Sequence, residues 1–331
     1  MDEALLSVSS LDAVFQIGKR NYPVLQKLNF EVNKKETVCM VGESGCGKSV
    51  TALALMDLLP NNGKVIGGSI RLAGEEITGL SRQERRALRG KQMGMVFQEP
   101  MTALNPILTV GRQLTEGLRL HRGMDTAGAS KYAAECLDTV GIADPEERMR
   151  QYPFQMSGGM RQRVMIAMVL AVEPKLFIAD EPTTALDVTI QKQVLVLLNR
   201  LKKNMEAGIL FITHNLGVVA EIADRVIVLY SGYKVEEGPA KEIFKNPRHP
   251  YTRGLLSCVP NVDIKDMILR PIPGVMPNIT EHIPGCRFHP RCTFATERCR
   301  NSIPPEIPCG AGGTITGGHF VSCFAAEEGS V

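Results

Sequence analysis

One octapeptide constrains this chain more than any other feature. Gly42-Glu43-Ser44-Gly45-Cys46-Gly47-Lys48-Ser49 fits the pattern G-x-x-x-x-G-K-[ST]. It follows an apolar run, Thr37 to Val41, that reads as a buried strand. It opens a helical pattern carried by Thr51, Leu53, Ala54, Leu55 and Leu58. Strand, glycine-rich turn and helix together form a cradle for phosphate. The glycines let the backbone wrap an anion with its N–H groups pointing inward, and the helix start adds favourable partial charge. The binding segment runs from Gly42 through Ser44, Gly45, Cys46 and Gly47 to Val50. Within it, Lys48 is expected to reach the β- and γ-phosphates of a nucleotide and Ser49 to ligate Mg²⁺. The thiol of Cys46 reads as incidental to the chemistry. A glycine-rich turn with a chance Lys-Ser is the bland alternative, and the flanking strand and helix argue against it.

The rest of the first 240 residues agrees with an α/β fold. Lys175 to Ala179, Gly208 to Thr213 and Val226 to Tyr230 are further strand candidates. From Asn105 to Pro153 the pattern is helical without a convincing strand, which reads as a helical insertion. Past Gly238 the texture changes. Prolines recur from Pro239 to Pro308 and forbid long helices and central strands. With 331 residues, and about 150 per domain, the chain has room for about two domains. The boundaries are set at 1–240, with a helical subdomain at about 105–165, and at 241–331 for a loop-rich extension with a thin core. The formal charge of +3 is too small to imply nucleic acid or an anionic membrane surface. No apolar run reaches the length of a membrane span, and the first residues lack a secretory signal. A cytosolic protein that meets any membrane through protein partners is the expectation.

A second acidic element follows the strand at Leu176. Asp180-Glu181-Pro182 places a carboxylate at the carboxyl end of a buried strand, where a Mg²⁺–nucleotide site needs one. Glu181, one residue on, is placed to orient or deprotonate an attacking water. A solvated acidic turn is the alternative for this pair taken alone.

Four further motifs narrow the reading. Ser157-Gly158-Gly159-Met160-Arg161-Gln162-Arg163 precedes an apolar helix and offers a second anion-binding helix start. Ala185-Leu186-Asp187 lies just after the acidic pair, His214 ends the strand from Gly208, and Gln98 sits in Met95-Val96-Phe97-Gln98-Glu99-Pro100. In this order the motifs resemble the signature loop, D-loop, switch histidine and Q-loop of ATP-binding cassette (ABC) ATPases, with Met160 where Gln is common. The resemblance implies a RecA-like core with an antiparallel β subdomain and a helical subdomain, and an ATPase. Ser157, Gly158, Gly159 and Asp187 would serve a nucleotide held across a head-to-tail dimer with a second cassette, read as a paralogue. Asp180 and Gln98 would join Ser49 around Mg²⁺, and Glu181, His214 and Gln98 would carry catalysis. Such cassettes also stack an aromatic side chain on adenine. Phe15 and Tyr22 both qualify, and Tyr22 is preferred because a core role suits Phe15.

Phe97 to Pro106, Tyr152-Pro153, and Arg248-His249-Pro250-Tyr251-Thr252-Arg253-Gly254 resemble the oligopeptide/dipeptide importer ATPases. Phe154 and Asn215 stand where that group often has His and Asp. This resemblance implies a subunit at the cytoplasmic face of the inner membrane. It would be bound to two permease subunits and served by an extracytoplasmic substrate-binding protein, with peptides, nickel or metal chelates as cargo. A soluble ABC ATPase acting on ribosomes or DNA would usually carry two cassettes or a long coiled-coil insertion, and this chain has neither. An iron–sulfur sensor with a degenerate cassette conflicts with the presence of Lys48, Glu181 and His214.

Five of the nine cysteines fall in the last 46 residues. Closely spaced thiols in a reducing compartment suit a metal site, iron–sulfur or Zn²⁺, with free thiols as the alternative. The resemblance to the oligopeptide/dipeptide extension implies a [4Fe–4S] cluster on Cys286, Cys292, Cys299 and Cys323, with Cys309 spare and His289 a turn residue.

Overall fold

The computed structural model describes residues 4–98, 103–183, 188–258, 271–309 and 318–331. In chain order its elements begin with β1 (Leu6–Ile17), β2 (Arg20–Val32), β3 (Thr37–Val41), α1 (Lys48–Met56), β4 (Gly63–Leu72) and β5 (Glu75–Glu76). Then come α2 (Arg82–Leu88), β6 (Met93–Val96), α3 (Val110–Arg122), α4 (Thr126–Thr139), α5 (Pro145–Arg150) and α6 (Gly158–Ala171). The next are β7 (Leu176–Asp180), α7 (Val188–Met205), β8 (Gly208–Ile212), α8 (Leu216–Ile222), β9 (Arg225–Tyr230) and β10 (Tyr233–Pro239). The chain ends with α9 (Ala240–Lys245), α10 (Pro250–Ser257), α11 (Glu297–Asn301), β11 (Ile307–Pro308), β12 (Phe320–Val321) and α12 (Phe324–Glu327).

The residues divide into two compact units. One comprises Met1–Leu6, Val32–Glu36 and Leu72–Phe211. Its strands run in the order β8-β7-β6, with β6 and β7 parallel. All residues of these three strands are buried, and Asp180 at the end of β7 is the one polar residue among them, the mark of parallel strands covered on both faces. Helices α3, α4 and α6 pack on one another. Their facing stripes are Val110, Leu114 and Leu118, then Ala129, Ala133 and Leu137, then Val164, Ala167 and Ala171, all buried. The small residues of α4 let its neighbours approach. The first two of these helices lie in the stretch from Asn105 to Pro153 that reads as helical.

The other unit comprises Ser7–Glu31, Thr37–Arg71 and Ile212–Val331. Strands β2, β1 and β4 lie side by side. β1 and β2 are joined through Gly18-Lys19, a two-residue hairpin turn with Gly18 at φ 64°. A second layer has the order β11-β12-β10-β9-β3. Here β3 pairs parallel to β9, while β9, β10, β12 and β11 pair antiparallel in sequence.

The C-terminal region is therefore less separate than its proline content suggests. Val321 and Phe320 pair with Glu236 and Glu237 of β10, so the extension adds two strands beyond the cassette's last one. Each strand has two residues, too few for any periodicity to reveal them. Pro308 is tolerated because β11 is the outer strand. Among the described residues no helix is long and apolar enough to cross a membrane.

Candidate active site

The loop from Gly42 to Ser49 joins β3 to α1. Gly42 has φ 152°, and a Cβ there would lie 2.4 Å from the Leu229 carbonyl oxygen. No other residue fits that turn. Gly47 occupies the position before α1 with φ 111° and supplies no side-chain cap to the helix start, which faces the loop. Lys48 is buried and folds back over the loop. Its ammonium donates to the carbonyl oxygens of Gly42 (2.8 Å) and Glu43 (3.0 Å). Thr51 donates to the Gly47 carbonyl (2.9 Å) and locks the first turn. Cys46 is buried, and burial raises its thiol pKa despite the nearby Lys48. A protonated, enclosed thiol is no nucleophile.

A support for this loop comes from far along the chain. The Glu43 carboxylate meets Arg291 side by side, Nη1 to Oε2 at 2.7 Å and Nη2 to Oε1 at 3.0 Å. Arg291 also donates from Nε to the Pro273 carbonyl (2.7 Å) and from Nη1 to the Tyr230 hydroxyl (3.4 Å). The hydrogen bond with Glu43 raises the guanidinium's pKa further, so it is always charged. The Glu43 N–H donates to the Tyr251 hydroxyl at 2.8 Å. Tyr251 is fully buried, and its ring centroid lies 4.7 Å from Tyr230 and 5.4 Å from Phe288. Burial pushes its phenol pKa up, so it remains a hydroxyl.

The His-Pro-Tyr segment thus has a defined job. His249 precedes α10, and its Nδ1 accepts from the Tyr251 N–H at 3.0 Å. Burial lowers its pKa to about 4, which keeps that nitrogen an acceptor at neutral pH. Glu236 of β10 accepts from the N–H groups of Arg248 (2.7 Å) and His249 (2.9 Å) and pairs with His319 Nε2 (2.8 Å). Sequence reasoning did not single out Glu43, Tyr251 or Arg291 as site residues. Glu43 and Tyr251 lie in quoted motifs and Arg291 precedes Cys292, but nothing local links positions that far apart.

In the other unit, β7 ends in Asp180, whose carboxylate is buried, and Glu181 follows with φ 47°. That left-handed turn aims Glu181 out of the strand line. Gln98, just past β6, donates from Nε2 to Glu181 Oε2 at 3.2 Å. Two of the residues expected to act in catalysis are thereby in contact. Ser157 caps α6, its hydroxyl accepting from the Met160 N–H at 3.3 Å. Ser157 and Gly158 are exposed at that helix start. Gln162, one turn into α6, donates to the Pro182 carbonyl at 2.7 Å. This ties the signature helix to the segment after Glu181. Asp187 lies outside the described residues.

His214 is exposed just beyond β8. Asn215 beside it caps α8, accepting from the N–H groups of Gly217 (3.0 Å) and Val218 (3.4 Å). Asn215 therefore does the capping work that an Asp would do there. Tyr22 lines a cavity that also touches Gly45, whereas Phe15 packs where Gly63 leaves room for its ring.

The cysteine cluster expected from the resemblance finds no support among the described residues. Cys292, Cys299 and Cys323 lie near enough to Cys286 to act on its charge, and the Cys286 N–H donates to the Cys299 carbonyl at 2.8 Å. Yet among the described residues no group of three or more His, Cys, Asp or Glu is arranged to hold a metal ion. A cluster binds thiolates. Burial, reinforced by the neighbouring thiols, pushes Cys286 up to about 12 and also raises Cys292 and Cys323. The arrangement of Cys286, Cys292, Cys299 and Cys323 thus gives no support for a [4Fe–4S] cluster. Cys323 joins Val321 and Ala325 in a small apolar core that Cys309 flanks. His289 sits in a short turn with Nδ1 2.9 Å from the Cys286 carbonyl.

Comparison with known proteins agrees with these motifs. The ABC transporter family model matches residues 25–184, and the model of the oligopeptide/dipeptide transporter C-terminal region matches residues 235–299. A putative peptide import ATP-binding protein of Brucella melitensis is 49% identical over 315 residues, covering 92% of this chain and 93% of the relative. The oligopeptide transport ATP-binding protein OppD of Salmonella typhimurium is 47% identical over 324 residues, covering 98% and 94%. Among solved structures, a dimeric ATP-binding cassette in a post-hydrolysis state, bound to ADP and Pi, superposes with a TM-score of 0.65. It is 27% identical and covers 71% of this chain and 98% of its own. CbiO1 of Clostridium perfringens, part of an ABC transporter complex, gives a TM-score of 0.62 at 26% identity, covering 74% and 92%.

Proposed function

The chain belongs to the ABC transporter family, and we propose that it is the ATP-hydrolysing subunit of an importer of di- and oligopeptides. The observation that carries the ATPase part is the Gly42–Ser49 loop. It combines a glycine-led helix start with a buried lysine folded over the loop carbonyls, an arrangement suited to a nucleotide's phosphates. Peptide cargo is supported by what the relatives above are named for. Nickel or metal-chelate cargo is the alternative within the same family.

In this reading Lys48 neutralises the terminal phosphates as charge builds toward the leaving group. Ser49, Asp180 and Gln98 would hold Mg²⁺. Hydroxyl, carboxylate and amide oxygens are the hard donors that ion takes, and the near-complete burial of Asp180 gives its charge a reason to be there. When bound, Mg²⁺ supplies charge neutralisation on the phosphates. Glu181 takes the proton of the attacking water, with Gln98 fixing its carboxylate, and His214 contacts the γ-phosphate. Ser157, Gly158, Gly159 and Asp187 serve the nucleotide of a second cassette, a paralogue, in a head-to-tail dimer. ATP then closes the dimer and hydrolysis opens it. Two permease subunits at the cytoplasmic face of the membrane and an external binding protein complete the machine. The division into a cassette (1–240) and an extension (241–331) belongs to this proposal. Its support is that one family model ends at 184 and the other begins at 235.

The test is ATP turnover and peptide uptake by the assembled complex in vesicles. The reading expects peptide-stimulated hydrolysis that disappears with Lys48→Ala. Hydrolysis stimulated by nickel chelates and not by peptides would replace the cargo, and turnover that survives Lys48→Ala would remove the ATPase assignment.

A further inference from the structure

A cavity of about 300 Å³ adjoins the phosphate loop at Gly45. One wall carries Tyr22. The C-terminal extension contributes residues 277–282 together with Arg287 to its lining. The volume is at the lower end for ligand sites. It suits a nucleoside and is too small for a whole nucleotide. Phosphates held in the 42–49 loop would leave their sugar and base beside Gly45, at this cavity.

The extension's wall is ordered by its own bonds. Asn278 Oδ1 accepts from both the N–H and the hydroxyl of Thr280, each at 3.1 Å, and the Asn278 carbonyl accepts from the Glu281 N–H at 2.9 Å. The Arg287 guanidinium lies 5.7 Å from the ring centre of Tyr233, which limits its reach to one side. Met276, just before the wall, is positioned 3.3 Å from where a Cβ on Gly45 would be. The wall therefore begins in contact range of the phosphate loop itself. Its chemistry is a guanidinium, a carboxylate and an imidazole in a cavity that an aromatic ring also lines. That set suits a polar, hydroxyl-bearing, stackable ligand, and suits an apolar one poorly.

We propose that the extension forms half of the base-and-sugar subsite of its own chain's nucleotide, with Arg287 on the base and Glu281 and His282 on the ribose hydroxyls. Stacking by an upstream aromatic is a property of the family; the wall from the extension is the new element. It deepens the ATPase reading and rests on it. The extension then senses occupancy directly, because a bound nucleoside bridges Tyr22 to residues 281–287.

Calorimetric titration of the full-length chain with Mg-ATP and with Mg-tripolyphosphate tests this. Tripolyphosphate has no base or sugar. Arg287→Ala and the Glu281→Ala/His282→Ala double variant should each weaken ATP about tenfold, the size of one charged hydrogen bond, and leave tripolyphosphate unchanged. Unchanged ATP affinity in both variants would overturn the proposal. So would an equal loss of both ligands, which would report damage to the loop instead. Lys48→Ala separates the two readings. It should lose both ligands, and if it binds both normally the ATPase reading fails together with this one.

Discussion

Arg291 holds Glu43 with two parallel hydrogen bonds, 2.7 and 3.0 Å long, across 248 residues of sequence. One partner belongs to the phosphate loop and the other to a turn between two cysteines of the extension. The guanidinium is almost fully buried and the carboxylate only partly so, 5% against 30% exposed. The pair is therefore only partly screened by solvent, and its planar fork fixes the loop in orientation as well as position.

Arg291→Ala should cost about 2 kcal/mol, in the range for hydrogen bonds to charged groups. Urea unfolding reads this as a lower midpoint at unchanged slope. Arg291→Lys keeps the charge without the fork and should recover only part of the loss.

Gly42→Ala should be worse than an ordinary surface change. Its methyl would press on the Leu229 carbonyl at 2.4 Å in a backbone region that side chains rarely adopt. Strain of this kind costs about 1–3 kcal/mol. Thermal unfolding and ATP affinity should fall together, because the strained residue is part of the loop.

Glu181→Gln keeps the shape of the side chain and its contact with Gln98 but removes the base. Hydrolysis in the assembled complex should fall by about 10²–10⁴-fold while ATP binding persists. Gel filtration with ATP should then show a lasting dimer. Near-normal turnover would reassign the base.

The buried Glu236–His319 pair predicts a bell-shaped stability curve. Burial opposes the charge on His319, but hydrogen bonds with Cys309 and Glu236 outweigh it and raise its pKa to about 9. Burial likewise opposes ionisation of Glu236, and hydrogen bonds from His319, Thr252, Arg248 and His249 outweigh it and lower its pKa. The histidine's contribution is complete below its ordinary value near 6.5 and is lost as the pH rises through about 9. The glutamate's contribution is complete above its ordinary value near 4.5 and is lost as the pH falls below it. Urea midpoints should therefore be highest between about pH 5 and 6.5. His319→Gln should flatten the alkaline limb and leave the acidic one less steep.

Ser157→Ala removes the hydroxyl that caps α6. The loss should be about 1 kcal/mol. Because the same residue faces a second cassette in the proposed dimer, ATP-dependent dimerisation should weaken more than folding does. Comparing sedimentation with thermal unfolding separates the two effects.

The elements that the sequence disclosed were those whose signal is local. Thr37–Val41 coincides with β3 because a parallel strand buried on both faces is an unbroken apolar run. The strands β1 and β2, 12 and 13 residues long, were not singled out. Ser10 and Lys27 sit in them at φ 48° and 47° and interrupt the alternation that would announce a half-buried strand. The phosphate loop is contiguous, so its strand, turn and helix start were legible. Its fastening by Tyr251 and Arg291 depends on pairings that no window of sequence contains. Cysteine spacing foretold that the thiols would be neighbours. It could not convey how the sulfurs are arranged around one another.

The pairing of β3 with β9 and the clasp on Glu43 also set a timetable. A ribosome adds about 5–20 residues each second, so the 248 positions between Glu43 and Arg291 take about 12–50 s to make. For about the first three-quarters of that interval the phosphate loop lacks β9, and to its end it lacks the arginine that fastens it. A nascent chain can acquire a fastened loop only when synthesis is almost over, and β12, still later, closes after that. Premature termination anywhere before residue 291 would release a chain that contains the whole nucleotide motif and lacks its clasp.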